Sequence, residues 1–421
     1  MDSKAELGVT GVRRGVSHAF LGDTRAIVRR IGALLETHPQ FKPRYDAAKR
    51  VVRAFRKPAF YEIAQRCNLR CEGCYYFEGG ISRPVQEAQP IAAWEAFFAA
   101  EAARGVTMAY FVGAEPALEQ ERLVAASSRF PYGNIGTNGT IRIDPCVPYR
   151  IGVSVWAGED GTDRALRGAS AFRKAFRNYA GDPRVNILFT ISRWNLRNVR
   201  TVAEMCRDNG LPLTFNLYSP TLTFLDKLQR RKANDDAYFR ISRPHNTPVL
   251  RDDDLMLVRR TISDLMDEFP DTILYAKAYN TWVTQPGSLY EIDPQTGIAT
   301  HCGSRIIGTM RYYGADLQPR SPKCCTSDVD CSQCRMYSGG WSSKFQPGER
   351  DVADAGAFAD WLDMITVLGR IFLYEQPGRV PLAHREARDL LIAAETAAGG
   401  ERPVTSTGFA ARLRSWPAAS G

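Results

Sequence analysis

Between residues 59 and 218, short apolar runs alternate with stretches of helical periodicity, and this alternation constrains the fold more than any other feature. AFYEIA (59–64), TMAYFVG (107–113), YGNIGTN (132–138), IGVSVWA (151–157), VNILFTI (185–191) and LPLTFNLY (211–218) have the length and make-up of buried strands. Between them IAAWEAFFAAEAARG, LEQERLVAASSRF, DRALRGASAFRKAFRNYA and LRNVRTVAEMCRDNG read as helices, the last closed by Gly210. Strands alternating with helices make parallel βαβ units. Six of them predict an α/β fold, a partial (β/α)6 TIM-like barrel or an open parallel sheet, with ligands at the carboxyl ends of the strands.

The flanks divide the chain further. Residues 1–57 read as an N-terminal helical segment and 58–220 as the partial barrel. Residues 221–284 form an insert, with a polar, loop-like part up to residue 252, followed by a helix, DLMLVRRTISDLMDEF, and a strand, TILYAKAY. A Gly-, Pro- and Cys-rich region occupies 285–349. Helices return in 350–421, as FADWLDMITVLGRIFLY and HREARDLLIAAETAAGG, before a frayed end.

At 44% hydrophobic and 24% charged residues, the chain has globular composition. No run approaches the roughly 18 apolar residues of a membrane span. The N-terminal residues lack an apolar signal region, so a cytoplasmic, reducing setting is expected, in which cysteines do not serve as structural disulfides. The net charge of +9 is spread along the chain rather than concentrated, which reads as a solvated surface and not as a nucleic-acid footprint.

Three of the ten cysteines fall in RCNLRCEGCYYF, as Cys67, Cys71 and Cys74, just after the first strand. A zinc site pairs two short clusters to reach four ligands, yet the next cysteine is Cys146 and no His intervenes. Three thiolates on a [4Fe–4S] cluster leave one iron open to a small molecule.

The spacing C-x3-C-x2-C after the first strand of a βα barrel resembles the radical S-adenosylmethionine (SAM) superfamily, over roughly residues 58–220. FVGAEPALE after strand two is similar to that family's Gly-Gly-Glu-Pro stretch, which holds the SAM amino group. The resemblance gives this role to Gly113, Ala114, Glu115 and Pro116; on its residues alone, Glu115 also reads as a helix N-terminal acid. It implies ribose or carboxylate contacts for Asn138 and Ser154, carboxylate contacts among Ser192, Arg193 and Asn195, and adenine against the backbone near Asn216 and Leu217. Trp156 stands where relatives carry Asp. Gly73 stands where they carry an aromatic residue, a space for Tyr75 or Tyr76 to fill.

Cys302, Cys324, Cys325, Cys331 and Cys334 resemble the twitch and SPASM extensions that bind auxiliary iron–sulfur clusters. One auxiliary [4Fe–4S] cluster is implied, on Cys302, Cys331, Cys334 and Cys325, with Cys324 as the alternative fourth ligand; structural zinc, with His301 in the set, is the competing reading. For Cys146 and Cys206 packing is expected.

The resemblance implies reductive cleavage of SAM to methionine and a 5′-deoxyadenosyl radical, followed by hydrogen abstraction from a substrate. An external electron donor of flavodoxin or ferredoxin type follows from it. A small metabolite is the expected substrate, and Arg240, Arg243 and His245 of the insert are candidates for an anionic group on it. Modification of a ribosomal peptide is the alternative, which predicts an exposed strand edge or a groove. A non-catalytic iron–sulfur electron carrier or redox sensor is the reading from another class.

Overall fold

A computed structural model describes residues 24–374, except 79–84, 128, 231–236, 307–309 and 321–328. Cys324, Cys325 and the expected helix at 384–400 lie outside the described residues. The elements in order are α1 (Thr24–Thr37), α2 (Lys42–Ala54), β1 (Pro58–Ala64), α3 (Tyr75–Glu78), α4 (Ile91–Ala103), β2 (Met108–Gly113), α5 (Gln120–Ala126), β3 (Tyr132–Thr137), β4 (Arg150–Val155), α6 (Asp160–Arg167), α7 (Phe172–Tyr179), β5 (Val185–Ile191), α8 (Asn198–Asp208) and β6 (Leu213–Leu217). Then follow α9 (Leu222–Arg230), α10 (Asp252–Glu268), α11 (Lys277–Val283), α12 (Gly303–Ile306), β7 (Arg311–Tyr313), β8 (Pro319–Arg320), α13 (Tyr337–Ser342) and α14 (Ala355–Phe372).

The strands lie in the order β6-β5-β4-β3-β2-β1-β7-β8. β1 to β6 run parallel to their neighbours, β7 joins β1 in parallel, and β8 returns antiparallel to β7. The expected α/β fold with a parallel sheet flanked by helices is therefore present.

The period of two sorts the faces. Ile135, Ile151, Val153, Ile187 and Phe189 are fully buried beneath the helices. Their neighbours Tyr110, Asn134, Gly152, Ser154, Leu188 and Asn216 are partly exposed on the other face, and Gly136 is exposed there. Gly136 pairs with Gly152. A Cβ on Gly136 would meet nothing within 4 Å, and one on Gly152 only the Ile135 carbonyl at 3.8 Å. The inner face is therefore an open bore, not a packed core.

The floor of the bore, at the amino ends of the strands, is closed by the end of α14. Phe372 packs edge-on against Tyr110, and Arg150 donates to the Leu373 carbonyl at 2.7 Å. α14 also lies on α2, with Phe358 against Phe41 and Tyr45, and Gly369 leaves room for Val51, whose Cγ2 a Cβ would approach to 2.8 Å.

Three expectations need correction. The single helix read over 163–180 is two, α6 and α7, because Gly168 takes φ +76 and ends the first. TILYAKAY forms one bridge, Ile273 to Leu213, and then enters α11, where Tyr279 is buried. The loop-like part of the insert opens instead with the helix α9, which buries Phe224 and Leu228. The β7–β8 hairpin, with strands of only three and two residues, was not read from the sequence. Among the described residues no helix is long and apolar enough to cross a membrane.

Candidate active site

Cys67, Cys71 and Cys74 occupy the loop leaving the carboxyl end of β1. Burial pushes the Cys67 and Cys74 thiols up, and Cys71 adds to both shifts, so each lies within electrostatic reach of it. Donors already point at the sulfurs. Leu69 N–H reaches Cys67 Sγ at 3.4 Å, Asn138 Nδ2 lies 3.8 Å from the same atom, and the Tyr76 and Phe77 amides face Cys74. Among the described residues no three Cys, His, Asp or Glu side chains converge closely enough for a single ion. Thiols with raised pKa need a strong cationic partner to ionise. That need and the N–H donors aimed at the sulfurs suit these thiols to a metal centre.

The loop is held from two sides. Glu72, fully buried between Cys71 and Cys74, accepts from Arg240 N at 2.8 Å and from Ser242 N at 2.9 Å. Tyr238 O accepts from Gly73 N at 3.0 Å, so residues 237–248 form a strap across the cysteine loop. The arginines suggested for an anionic group serve this strap: Arg240 Nε donates to Ala165 O at 3.1 Å and Arg243 to Ser242 O at 2.6 Å, while His245 is exposed. On the other side, Leu166 O and Arg167 O at the end of α6 accept from Glu72 N (2.7 Å) and Arg70 N (3.3 Å).

The turn after β2 docks against the same loop. Ala114 N donates to Ala64 O and Glu115 N to Arg66 O, both at 2.9 Å. Gly113 has φ +131, and a Cβ there would stand 2.5 Å from Ala64 O, so no other residue fits without a shift. Pro116 opens a short 3-10 turn capped by Glu115. The Glu115 carboxylate, 1% exposed, accepts from Ala117 N (2.9 Å), Thr137 Oγ1 (2.6 Å) and Asn138 N (2.7 Å). Burial still raises its pKa. Glu115 thus caps the turn, as an N-terminal acid does, and also ties the ends of β2 and β3 together. Asn138 extends the tie, donating to Asn68 Oδ1 at 2.8 Å.

Further round the rim, Ser154 Oγ accepts from Trp156 Nε1 at 3.2 Å. Of the three residues after β5, Asn195 is committed to the Trp156 and Thr190 carbonyls and to Ser192 N. Arg193 pairs with Asp254 of α10 at 3.1 Å, and Ser192 Oγ is buried without a partner among the described residues. The Leu217 side chain is buried on the outer face, leaving its backbone at the rim.

Gly73 has a steric reason. Its φ is +58, and a Cβ would stand 2.7 Å from the Tyr218 hydroxyl and 3.0 Å from the Phe224 ring. The space beside Gly73 is bounded by Tyr218, just past β6, and by Phe224 of α9. Tyr76 instead points its hydroxyl at Ala64 O, 3.3 Å away.

The C-terminal cysteines approach the exit of β6. Cys302, Cys331 and Cys334 are buried, and Cys302 and Cys334 both face Tyr290, whose burial among them pushes its pKa up. Arg335 N donates to Ser219 Oγ (2.8 Å), Asp330 N to Pro220 O (3.0 Å) and Tyr337 N to Asn216 Oδ1 (2.9 Å). Cys206 is buried on α8.

No protein-family profile matches the chain, and no curated protein does. Among solved structures, SuiB of Streptococcus suis bound to S-adenosylmethionine is 13% identical with a TM-score of 0.44, over 62% of this chain and 59% of SuiB. SuiB bound to its precursor peptide SuiA is 12% identical with a TM-score of 0.44, over 65% and 63% of the two chains. Native anSMEcpe with bound AdoMet is 15% identical with a TM-score of 0.42, over 63% and 74%. The chain thus spans about three fifths of SuiB's length. Likenesses this distant carry no chemistry, which rests on the side chains described above.

Proposed function

We propose that the chain is a radical SAM enzyme. The observation that carries the reading is the cysteine loop itself: three thiols in the segment leaving the carboxyl end of β1, whose entry, at Ala64 and Arg66, accepts from the Ala114 and Glu115 amides of the Gly113–Ala114–Glu115–Pro116 turn. A [4Fe–4S] cluster with an open iron supplies one electron for the reductive cleavage of SAM into methionine and a 5′-deoxyadenosyl radical. Cys67, Cys71 and Cys74 are its ligands in this reading.

The remaining work is positioning. An ammonium group needs acceptors, and the Gly113–Glu115 turn offers strand-end carbonyls beside a buried carboxylate. Ser154 and Ser192 offer hydroxyls at the ends of β4 and β5. Trp156, Tyr218 and Phe224 form an aromatic wall that keeps water from the cysteine loop, with Tyr218 edge-on to both neighbours.

The open bore beside Gly136 and Gly152 supports a small-molecule substrate, or a single slender side chain, entering from the carboxyl ends. Edge addition of a peptide strand has less support, because β7 covers β1 and the Ile273 bridge covers Leu213 of β6. Cys302, Cys331 and Cys334, with Cys325 or Cys324, suit one auxiliary cluster.

The test is anaerobic reconstitution with iron and sulfide, followed by SAM and dithionite, with 5′-deoxyadenosine read by mass spectrometry. Deoxyadenosine that disappears in Cys71→Ala supports the reading, and about eight irons per chain supports two clusters. Bound iron without SAM cleavage, with or without candidate substrates, favours the electron carrier.

A further inference from the structure

The polar side chains that the strands turn toward the bore are mostly spoken for. Arg150 donates to the Leu373 carbonyl at 2.7 Å and to the Pro183 carbonyl at 3.1 Å. Asn216 donates to Thr190 Oγ1 at 3.3 Å and accepts from Tyr337 N at 2.9 Å. Ser154 accepts from Trp156, and Asn186 Nδ2 donates to the Ile371 carbonyl at 2.8 Å. Asn134 of β3 stands apart. It is partly exposed, and its side-chain amide makes no hydrogen bond among the described residues.

Register fixes where that amide stands. Asn134 pairs with Tyr110 on one side and with Arg150 on the other, one row deeper than Gly136 and Gly152. Beneath it Phe372 packs against Tyr110, and Tyr337 against Phe372, so the floor is aromatic. Between Asn134 and the rim at Asn138, about 13 Å of strand, β3 and β4 present only the glycine pair to the bore.

The strand residues on this face carry two charged side chains, Arg150 and Glu62. Arg150 is held by the two carbonyls. Glu62 lies two strands from Gly136, 1% exposed, with Oε1 unpartnered. Asn186 Oδ1, next to Gly152, is likewise buried and unpartnered. An ion brought to Asn134 gives up its water for a neutral partner, which is unfavourable. A carboxamide matches both the Nδ2 donor and the Oδ1 acceptor.

We propose that Asn134 is the specificity-determining residue of the bore, and that it binds the substrate through a neutral group carrying a donor and an acceptor together, the chemistry of a carboxamide. This rests on the reading that the substrate enters the bore. The atoms attached to such a group then pass the glycine row toward the cysteine loop.

The experiment measures the affinity of three probes of similar length, butyramide, butyrate and butylammonium, for the full chain by ligand-observed NMR. It compares wild type with Asn134→Leu and Asn134→Asp. Butyramide should bind about tenfold tighter than either ion and lose about tenfold in Asn134→Leu, the worth of one paired polar group. Asn134→Asp keeps the size and should turn the preference to butylammonium; it decides if the Leu variant fails to fold. Acetylglutamine methylamide carries the same group on a peptide backbone, so its binding beside that of butyramide separates a side chain from a free molecule. Binding of no probe, a wild-type preference for either ion, or butyramide affinity unchanged in both variants overturns the proposal. A preference for butylammonium would hand recognition to Glu62. Formation of 5′-deoxyadenosine from SAM is read separately, so the radical reading and this one fail apart.

Discussion

Glu72 and Ser242 stand 170 positions apart in sequence, yet Ser242 donates both its amide and its hydroxyl to one oxygen of the Glu72 carboxylate. The residue between two candidate cluster ligands is thus the anchor of the insert that crosses them. Glu72→Ala leaves the Ser242 and Arg240 amides without an acceptor. Hydrogen bonds to a charged group contribute roughly 1.5–3 kcal/mol. We expect a loss of about 3 kcal/mol in urea unfolding and new proteolytic cleavage within residues 237–248. Unchanged protection of that segment would count against the strap.

Gly73→Ala should be costly on two counts. The left-handed backbone costs a non-glycine residue about 1–2 kcal/mol, and the new methyl meets the Tyr218 hydroxyl. Tyr218→Phe removes that oxygen, so the double variant should recover part of the loss. Thermal unfolding and iron content of the single and double variants measure the coupling.

Gly136→Val fills the bore without touching the cysteine loop. Iron content and SAM cleavage by dithionite-reduced enzyme should persist, whereas turnover of any substrate that enters the bore should fall at least a hundredfold. Equal loss of both activities would place the substrate elsewhere.

Glu62 gives a pH dependence. It lies on the inner face of β1, 1% exposed, with Arg320 and Asp316 near it, donors from Ala315 and Tyr312, and Oε1 unpartnered. Burial pushes its carboxyl up to about 7. A raised acid contributes stability that is full below its unfolded pKa and is lost as pH rises through the folded one. Between pH 5 and 8.5 wild type should lose about 2 kcal/mol relative to Glu62→Gln. Parallel denaturation curves at the two pH values check it.

Among the described residues Cys146 and Cys206 join no group of metal-ligating side chains. Burial pushes both thiols up, Cys146 to about 12. Replacing both with Ala should leave the iron content per chain unchanged. A fall of even one iron would assign one of them to a cluster.

Much of this was legible in the sequence because buried parallel strands are nearly continuous apolar runs. All six were found to within about two residues of their bounds. The cysteine triplet and the Gly113–Pro116 turn were legible because their chemistry is local. Arg167 was not: a single arginine in a helix carries no signal until the fold buries it and sets its carbonyl against Arg70 N. The strap stayed hidden for the same reason, since Glu72 looks like any loop acid until Ser242 arrives. Gly168 gave a local signal that was overlooked, a glycine inside an apparently continuous helix.

The pairing of Ala59 with Arg311 also carries a consequence for synthesis. About 250 residues separate the two partners, and a ribosome adds roughly 5–20 residues per second. The outer edge of β1 therefore waits some tens of seconds for its cover, with every amide on that side unsatisfied. Nascent chains halted before residue 311 should stick to one another through this edge, and release into solubility should come only once the hairpin emerges.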